Sequence, residues 1–429
     1  MIGLALFGLL GTTHAYIWPS PKLDALESLR FDLDKHALAA FLRPYTHGAA
    51  QALCVSPEVL NLAQAYHDMA THNVADRTGG MDGSIRLEEQ SRAENAGDGF
   101  SNTLTVVFSV ANRYISVADA FAIAAIMAIE NWWTLYFHQF FACTGTDSFF
   151  AKSGGPDIAF RGGRVDAAEA NQPGVPEPQQ DIDSHIASFA RQRFTQSKMI
   201  GLVACGHTFG GVQHDTFPDI VPELNDPTST KSVAHFDSTN VNFDHLIATE
   251  YISGTTQNPL VVGFNDTTNS DKRIFGSDGN ATMLAFVKDP DLFATTCANL
   301  FTRMLDTVPN GVQLTEVITP LPVKPDSVIL TLNNNTLELS GRVRLWNMTE
   351  DADRTVRILW DDHAGDVHNA TLPFDNVDTN LGRTPSAWYN FFPVTDTPFI
   401  SLDPVAGITT MRFPAVNHGL DSFLVYSCS

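Results

Sequence analysis

The spacing of apolar residues divides the chain into a helical part and a strand-like part. Between about residues 23 and 307 the pattern is mainly that of helices separated by long irregular loops. Beyond residue 326, short apolar runs alternate with clusters of Asn, Asp and Gly, which is typical of antiparallel strands. The sequence therefore predicts a mainly α domain followed by a small all-β, sandwich-like domain.

Helix signals are clearest at three places in the first part. The Ser-Pro-Glu segment at residues 56–58 supplies an N-cap, a proline at the first helical position and an acid in the first turn. It predicts a helix that runs through His67. A second helix is predicted after Thr195, through residues 199–208, and a third over residues 291–305.

The second part opens with prolines and continues with strand-like runs. Pro320, Pro322 and Pro325 predict a stiff linker. The runs that predict strands lie at residues 328–332, 337–346 and 355–360. We therefore expect a first domain over residues 16–322 and a β domain over residues 326–429.

The N-terminal segment indicates where the protein works. Residues 1–15 (MIGLALFGLLGTTHA) are apolar and end in small residues, so they predict a signal peptide and secretion. The alternative interpretation is a buried core segment. Five Asn-x-Ser/Thr sequons agree with a glycosylated, extracellular protein; they begin at Asn265, Asn280, Asn334, Asn347 and Asn369.

Composition and charge exclude several classes of protein. Hydrophobic residues make up 44% and charged residues 17%, which indicates a globular chain rather than a disordered one. The net charge of −22 disfavours nucleic acid and anionic membranes as partners, and it suits cations. The apolar run at 115–129 contains Asp119 and is shorter than the roughly 18 residues of a membrane span, so it predicts a buried helix.

Short motifs, each weak alone, follow one another along the first domain. They are Tyr66-His67-Asp68; Gly80, Asp82 and Ser84 at alternate positions; Glu89 with Asn95-Ala96-Gly97; Gly163-Arg164-Val165-Asp166 before a Pro-rich loop at 175–178; His207 within residues 201–210; Phe236 to Thr239 with Asp244; and residues 273–278, ending at Asp278. Their order resembles that of the plant, fungal and bacterial haem peroxidase superfamily, in particular its secreted fungal (class II-like) members. The resemblance implies a secreted enzyme that binds haem b, reduces hydrogen peroxide and oxidises small organic donors such as phenols.

The resemblance also implies the proximal half of a haem site. A peroxidase holds the haem iron through one proximal histidine, which would be His207. Asp278 would accept a hydrogen bond from the other ring nitrogen and so fix the tautomer of the ligand. Phe236 stands where some family members have a tryptophan beside the ligand.

On the distal half, the implied base is His67. It would move a proton from one peroxide oxygen to the other, so that water can leave. Asn95 would hold His67 by a hydrogen bond, and Glu89 would orient Asn95. The alternative for Glu89 and Asn95 is a solvated loop.

Two Ca²⁺ sites follow from the same resemblance. Ca²⁺ takes six to eight oxygen ligands from carboxylates, hydroxyls and carbonyls. The implied distal ligands are Asp68, Gly80, Asp82 and Ser84, and the implied proximal ligands are Thr208, Asp237, Thr239 and Asp244. The alternative is ordinary turn chemistry, in which Asp, Ser and Gly are common.

One position departs from the family in a way that bears on rate. The family's distal helix carries an arginine four residues before the histidine, and here that position is Ala63. Losing such a donor of positive charge costs on the order of 100-fold or more in rate. Gln64 is on another face of the helix, and His72 or Arg92 are the candidates to replace the arginine.

The sequence does not carry the residues that the family uses to oxidise manganese or lignin. The family's manganese oxidisers carry an acid where this chain has Gln213, and its lignin oxidisers carry a surface tryptophan where this chain has Leu202. We therefore expect a generic small organic donor at the haem edge.

Residues 132–153 form an insert that the resemblance does not explain. Relatives pass from Glu-Asn-Cys almost directly into Gly-Gly-Pro, whereas here an aromatic-rich stretch intervenes, and we interpret it as a retained intron. A genuine surface loop is the alternative. The missing cysteine would be the partner of Cys54, and Cys143 is a possible replacement. Cys205 is expected to be a buried small hydrophobe, and Cys297 could pair with Cys428.

A second hypothesis is a haem protein with little turnover, whose β domain binds a cell wall or polysaccharide. Trp346, Trp360 and Trp388 could then form a sugar-stacking face, although tryptophans of such a domain are more often core residues. A third possibility is an incorrectly spliced chain that does not accumulate as folded protein.

Overall fold

The computed structural model describes residues 20–32, 57–87, 91–96, 99–130, 155–225, 232–239, 242–378, 384–392, 400–417, 420–422 and 425–427. Within these ranges eleven α-helices precede the long strands. They are α1 (Pro21–Phe31), α2 (Pro57–Ala70), α3 (Gly99–Val110), α4 (Val117–Glu130), α5 (Ile182–Arg191), α6 (Gln196–Gly206), α7 (Leu246–Ser253), α8 (Pro259–Val262), α9 (Ser270–Gly276), α10 (Ala281–Lys288) and α11 (Pro290–Leu305).

The helical part also contains a small antiparallel hairpin, and the rest of the described chain is antiparallel sheet. The hairpin strands are β1 (Gly211–Gln213) and β2 (Val233–His235). The remaining strands are β3 (Val323–Asn333), β4 (Thr336–Trp346), β5 (Thr355–Asp361), β6 (Val367–Leu372), β7 (Phe374–Asp378), β8 (Ser386–Asn390), β9 (Ile400–Leu402), β10 (Thr410–Arg412), β11 (Ala415–Asn417), β12 (Leu420–Ser422) and β13 (Val425–Ser427). The predicted fold class, mainly α and then all-β, is confirmed.

The predicted helices begin where the capping signals placed them. α2 begins at Pro57, α6 directly after Thr195, and α11 at Pro290, whose preceding Asp289 accepts from the N–H of Leu292. One prediction is wrong in detail: α6 ends at Gly206 rather than at residue 208. The ligand candidate His207 is therefore the C-cap of α6.

The buried helix α4 is anchored by the Gly-Arg-x-Asp motif. Every residue of α4 is buried, as its apolar sequence predicts. The Asp166 carboxylate accepts from the first two backbone N–H groups of the helix, at 3.0 and 2.9 Å. Arg164 donates to Asp119 of α4 at 3.0 Å, and neither side chain is exposed. The Arg164 guanidinium and the Asp119 carboxylate neutralise each other, which matters because an unpaired charge would be costly to bury here.

A disulfide joins α6 to α11. Cys205 and Cys297 are bonded, with their Cα atoms 5.5 Å apart. The expectation that Cys205 is a free, buried thiol is therefore wrong, as is the pairing of Cys297 with Cys428. The helix that ends at His207 is cross-linked two residues before the histidine.

The described chain divides into two compact units. One is Ser28–Ile318, and the other is Thr319–Ser429 together with the chain up to Glu27. In the second unit, Glu27 forms ion pairs with Lys324, at 2.6 Å, and with Arg344, and all three side chains are buried. This cluster attaches the start of α1 to the strands of its unit.

Two sheets share one core in the β unit. One has the order β3-β4-β8-β7, with β9 also on β4; the other has the order β12-β11-β5-β10-β13, with β6 also on β5. Val343 and Leu345 of β4 and Val356 and Ile358 of β5 belong to a single buried cluster, as expected for two packed sheets. Pro325, predicted in a linker, instead lies inside β3, an edge strand, where a missing N–H is tolerated.

Candidate functional site

A cavity of about 370 Å³ lies between α2 and α6 in the unit Ser28–Ile318. His67 of α2 and His207, the C-cap of α6, both line it, so the structure brings the two predicted histidines together. Most of its walls are apolar; among the apolar residues that line it are Leu62, Phe100, Val175, Phe189, Leu202, Val203, Phe236, Leu260, Phe301 and Met304.

On the proximal side, the ring of His207 is held at one nitrogen. Nδ1 of His207 lies 2.8 Å from Oδ2 of Asp271, which is 1% exposed. Nδ2 of Asn258 donates to the same oxygen at 2.7 Å. The ring of Phe236 stacks on His207 with centroids 4.1 Å apart and planes 10° from parallel, so the predicted neighbour is in place. Nδ1 donates to the carboxylate, which leaves Nε2 for a ligand in the cavity.

The prediction that Asp278 is the partner of His207 is wrong, since Asp271 occupies that place. Asp278 does not contact the histidine; its carboxylate accepts from the N–H and the hydroxyl of Thr282, at 3.0 and 2.6 Å. Asp271 lies in the first turn of α9, seven residues earlier, and α9 packs against α6. Both acids belong to one short segment, and the packing of α9 against α6 determines that Asp271 contacts His207.

On the distal side, His67 and Asn95 form the predicted pair. Nδ1 of His67 lies 2.7 Å from Oδ1 of Asn95, and since an amide oxygen only accepts, Nδ1 carries the proton. Burial lowers the pKa of His67 to about 4, against the bond to Asn95, which raises it. His67 is therefore neutral near pH 7, with Nε2 unprotonated, which is the state that a general base needs.

The missing arginine is not replaced in the described part of the cavity. Ala63 lines the cavity, and none of the described lining residues is Arg or Lys. Gln64 is buried and donates to the carbonyl of Phe100, at 3.4 Å, so it points elsewhere as expected. His72 contacts the carbonyl of Gly79, and Arg92 donates to that of Asn171. Neither candidate lines the cavity.

Besides Asp271, two titratable residues of the cavity were missed by the sequence analysis. Glu94, beside Asn95, lines the cavity. His185 of α5 lines it as well, is 2% exposed, and has Nε2 3.2 Å from the carbonyl of Glu177. Burial lowers the pKa of His185, which keeps the ring neutral. No motif marks His185, because it lies on the buried face of an ordinary amphipathic helix.

Two further positions bear on the electron donor. Gln213 of β1 lines the cavity and carries no charge, as the sequence shows. Leu202, placed by the resemblance at a surface position, is instead buried and lines the cavity. The described cavity wall therefore carries neither an acid at residue 213 nor an exposed aromatic at residue 202.

The proximal set of predicted calcium ligands is close together. Thr208 donates to the carbonyl of Asp244 at 2.8 Å, and Thr239 donates to Oδ2 of Asp244 at 2.9 Å. Oδ2 of Asp237 is buried and has no hydrogen-bond partner among the described residues. Burial and the nearby Asp244 raise the pKa of Asp237 to about 7. Four hydroxyl, carbonyl and carboxylate groups with an unsatisfied buried oxygen fit a hard cation.

The distal set is also assembled, but protein groups satisfy it. The Asp68 carboxylate accepts from the backbone N–H groups of Asp82, Gly83 and Ile85, at 2.7 to 3.2 Å. The N–H of Gly80 donates to the hydroxyl of Thr71 at 3.1 Å. Across the described residues, no group of three or more His, Cys, Asp or Glu is arranged to hold a metal ion.

The residues that face the cavity fit haem. Its apolar walls suit a flat hydrophobic group, and His207 offers a nitrogen with its tautomer fixed by a buried carboxylate, as haem ligation requires. His67, with a nitrogen fixed in the basic state, faces the same space. No comparable fit holds for the distal calcium set, where Asp68 has its acceptors filled by N–H groups.

The tryptophans of the β unit do not form the exposed face that a sugar would need. Trp388 is 2% exposed, with the Arg342 guanidinium 4.1 Å from its ring, and Trp360 is 7% exposed. Trp346 has Arg344 over its ring at 5.1 Å. Stacking on sugars is therefore not supported by these three residues.

Several predictions lie outside the described residues. They concern residues 1–15, Cys54, Glu89, the insert at 132–153, Cys143 and Cys428.

Comparisons with known proteins agree with the cavity. A WSC domain-containing protein of Arthroderma benhamiae is 33% identical over 350 residues, which is 80% of this chain and 45% of that protein. L-ascorbate peroxidase 5, peroxisomal, of Arabidopsis thaliana is 24% identical over 239 residues, 56% of this chain and 71% of the relative. L-ascorbate peroxidase 2, cytosolic, of Oryza sativa subsp. japonica is 29% identical over 153 residues, 35% of this chain and 53% of the relative. The chain thus spans about half the length of some of the curated relatives it matches.

The sequence profile of the Peroxidase family matches residues 37–279, more than half of the chain. That range contains both histidines of the cavity, Asn95 and Asp271. In the described segments, none of the helices has the length and apolar character to cross a membrane. The two-histidine cavity and the family match agree, and the chain belongs to the peroxidase family.

Proposed function

We propose that this chain is a secreted, haem-dependent peroxidase that reduces hydrogen peroxide and oxidises small organic donors. The observation that carries the proposal is the opposition of His67 and His207 across one apolar cavity. Each ring is fixed at Nδ1 by a different acceptor, Asn95 on one side and Asp271 on the other. Overall, one H₂O₂ and two donor molecules would give two waters and two one-electron-oxidised donors.

His67 would manage the protons of the peroxide. Nε2 is free of a proton because Nδ1 donates to Asn95, so it can take a proton from one oxygen of the peroxide. It would then return that proton to the second oxygen, which leaves as water. The two electrons that reduce the peroxide would be supplied by haem when it is bound, and two donor molecules would replace them, one electron each.

His207 would hold the haem from the other side. The Asp271 carboxylate accepts the Nδ1 proton, and this raises the basicity of the opposite nitrogen. Asn258 holds Asp271 in turn. Phe236 stacks on the ring and restricts its rotation.

We propose that turnover is slow relative to that of family members with a distal arginine. The bond between the peroxide oxygens breaks with charge on the departing oxygen, and Ala63 offers no donor there. An electrostatic donor of this kind is worth about 100-fold or more in rate.

Calcium at the proximal set is a second part of the proposal. The unpartnered Oδ2 of Asp237, with Thr208, Thr239 and Asp244 around it, supports a bound Ca²⁺. Since Thr208 follows His207 directly, an ion here would stiffen the chain next to the ligand.

Secretion is supported by surface exposure of sequons. Asn334, Asn347 and Asn369 are exposed, which glycosylation requires. The side chain of Asn280 instead accepts from the Tyr251 hydroxyl at 3.1 Å, so it is a poorer acceptor for a glycan.

Ala63 also favours a second candidate function, a haem protein with little turnover. Such a protein would bind haem through His207 but react slowly with peroxide. Because Trp360 and Trp388 are buried, a polysaccharide partner is not part of this candidate.

The test is the absorption spectrum of the haem-reconstituted, full-length chain mixed rapidly with hydrogen peroxide. We expect a Soret band that shifts with peroxide and returns when a phenolic donor is added. The variant His67→Gln should slow the shift by about 100-fold or more. His363→Gln, at an exposed histidine of the β unit, is the matched control and should leave the rate unchanged.

The outcomes separate the two candidates. A Soret band that does not respond to peroxide would favour the protein with little turnover. The absence of a Soret band would overturn the haem assignment itself.

A further inference from the structure

Asn171 places its side-chain nitrogen at the centre of the distal oxygen cluster. Nδ2 lies 3.0 and 2.9 Å from the two carboxylate oxygens of Asp82. It lies 3.0 Å from Oγ of Ser84 and 3.2 Å from Oγ1 of Thr71. One nitrogen therefore has four oxygen neighbours from three residues.

These oxygens are of the type that binds a hard cation. Ca²⁺ is held by carboxylate, hydroxyl and carbonyl oxygens. An amide group has only two hydrogens for the four acceptors, so it must share them. The partial positive charge of the NH₂ group faces the Asp82 carboxylate, which is where a cation would otherwise balance the charge.

The Asn171 amide can present either Nδ2 or Oδ1 to the cluster, and here it presents Nδ2 to four oxygens. If Oδ1 pointed inward, it would add a fifth oxygen to the cluster, and the Asp82 carboxylate would keep the N–H of Ser84 but lose the hydrogens of the amide. Five oxygens around one point favour a cation at the centre, whereas the inward nitrogen does not require one. The two orientations of one amide thus correspond to a cluster with a metal ion and a cluster without one.

Asp68, another member of the predicted distal set, accepts hydrogen bonds from protein groups, among them the Ser84 hydroxyl at 3.4 Å. Both oxygens of Asp68 accept backbone N–H groups from residues 82–85. The backbone of Asn171 is fixed as well, since its carbonyl accepts from Nη2 of Arg92 at 2.5 Å. The hydrogen bond from Arg92 therefore holds the backbone of Asn171, and the side-chain amide extends from it into the cluster.

We propose that the Asn171 amide takes the place of a metal ion in the distal cluster, so that this side of the cavity is held together without calcium. Of the two predicted sets, only the proximal one, with its unpartnered carboxylate oxygen, then holds Ca²⁺. The distal position of His67 depends on Asp68 and Asp82 through protein hydrogen bonds alone.

Calcium stoichiometry of the full-length protein tests the proposal without any measurement of turnover. We expect wild type, stripped with EGTA and titrated with Ca²⁺ in a calorimeter, to bind one ion. Asn171→Asp removes the two hydrogens, adds a carboxylate and should bind two. Ca²⁺ should then raise the melting temperature of Asn171→Asp by at least about 5 °C more than that of wild type.

The matched control is Asn335→Asp, the same substitution at an exposed turn of the β unit, which should bind one ion like wild type. Two results would overturn the proposal. One is a wild-type protein that binds a second Ca²⁺ ion, with that ion absent from the Asp82→Asn variant. The other is a folded Asn171→Asp protein that binds no more Ca²⁺ than wild type.

If wild type binds no ion and Asn171→Asp binds one, the role of Asn171 stands and the proximal calcium site is rejected. If Asn171→Asp does not fold, the number of ions bound by wild type and by Asp82→Asn decides the question.

Discussion

The two faces of the cavity differ in how complete they are. On the proximal face, His207 has a buried carboxylate partner, a stacked ring and a carboxamide behind the carboxylate. On the distal face, His67 has its Asn95 partner, but Ala63 leaves no positive charge nearby in the described wall. The comparison teaches that the groups suited to holding haem can be present without the positive charge that accelerates cleavage of the peroxide bond.

The same contrast appears in the two oxygen clusters. The proximal cluster keeps a carboxylate oxygen without a partner, whereas the distal cluster is closed by an amide. In both comparisons the proximal face has the more complete set of groups for binding a ligand. On the distal face the Asn171 amide fills the oxygen cluster, and no described wall residue supplies a positive charge.

Restoring the distal charge should produce the largest effect. Ala63→Arg should raise the rate of the reaction with peroxide by about 100-fold, because the guanidinium would stabilise charge on the departing oxygen. Stopped-flow absorption at the Soret band measures this rate. Ala63→Met adds comparable length without charge and is the control; an equal gain in both variants would contradict the electrostatic reason.

Removing the proximal carboxylate should have a smaller effect. Asp271→Asn leaves the shape but removes the negative charge behind His207, and we expect activity or haem affinity to fall by about 10- to 100-fold. Haem affinity is measured by transfer to apomyoglobin, and activity with a phenolic donor. Asp278→Asn is the control, and a loss there equal to that at Asp271 would reinstate the sequence-based partner.

The pH dependence should be the smallest and most gradual effect. His67 has an ordinary pKa of 6.5 and a folded-state pKa of about 4 because of burial. The peroxide reaction should therefore keep its rate from pH 7 down to about 5 and fall through pH 4, where the base becomes protonated.

The same shift has a defined sign for stability. The contribution of neutral His67 is fully present above pH 6.5 and is lost as the pH falls from 6.5 to 4, because the unfolded chain takes up the proton first. Rate profiles and melting temperatures across pH 3.5–7.5 measure both effects. A kinetic midpoint near 6.5 would show that His67 is not buried as described.

Local sequence was enough for the fold class and for the two histidines. Caps and apolar spacing place α2 and α6, and the motif order places His67 and His207 at their ends. The pairing of Asp271 with His207, of Cys205 with Cys297 and of Asn171 with Asp82 was not predicted. Each pair is separated by 64 residues or more, and only the packing of helices and loops brings the partners together.

The position of Leu202 shows that spacing along a helix does not predict whether a side chain is exposed. The family's lignin oxidisers carry a surface tryptophan five residues before the proximal histidine, but Leu202, at that position of α6, is buried and lines the cavity. A count along the chain gives an angle around the helix and does not say which angle faces solvent.

The bond between Cys205 and Cys297 closes a covalent ring of the chain, whose two ends are 92 positions apart in sequence. His207, Phe236, Asn258 and Asp271 all lie inside this ring, as do the proximal oxygen ligands. In a loop-entropy description, a ring of this size lowers the entropy of the unfolded chain and so stabilises the folded state by about 4.6 kcal/mol. A cut in the peptide chain between His207 and Asp271 would leave the two residues joined in one molecule through the disulfide. In a reduced chain the same cut would separate them.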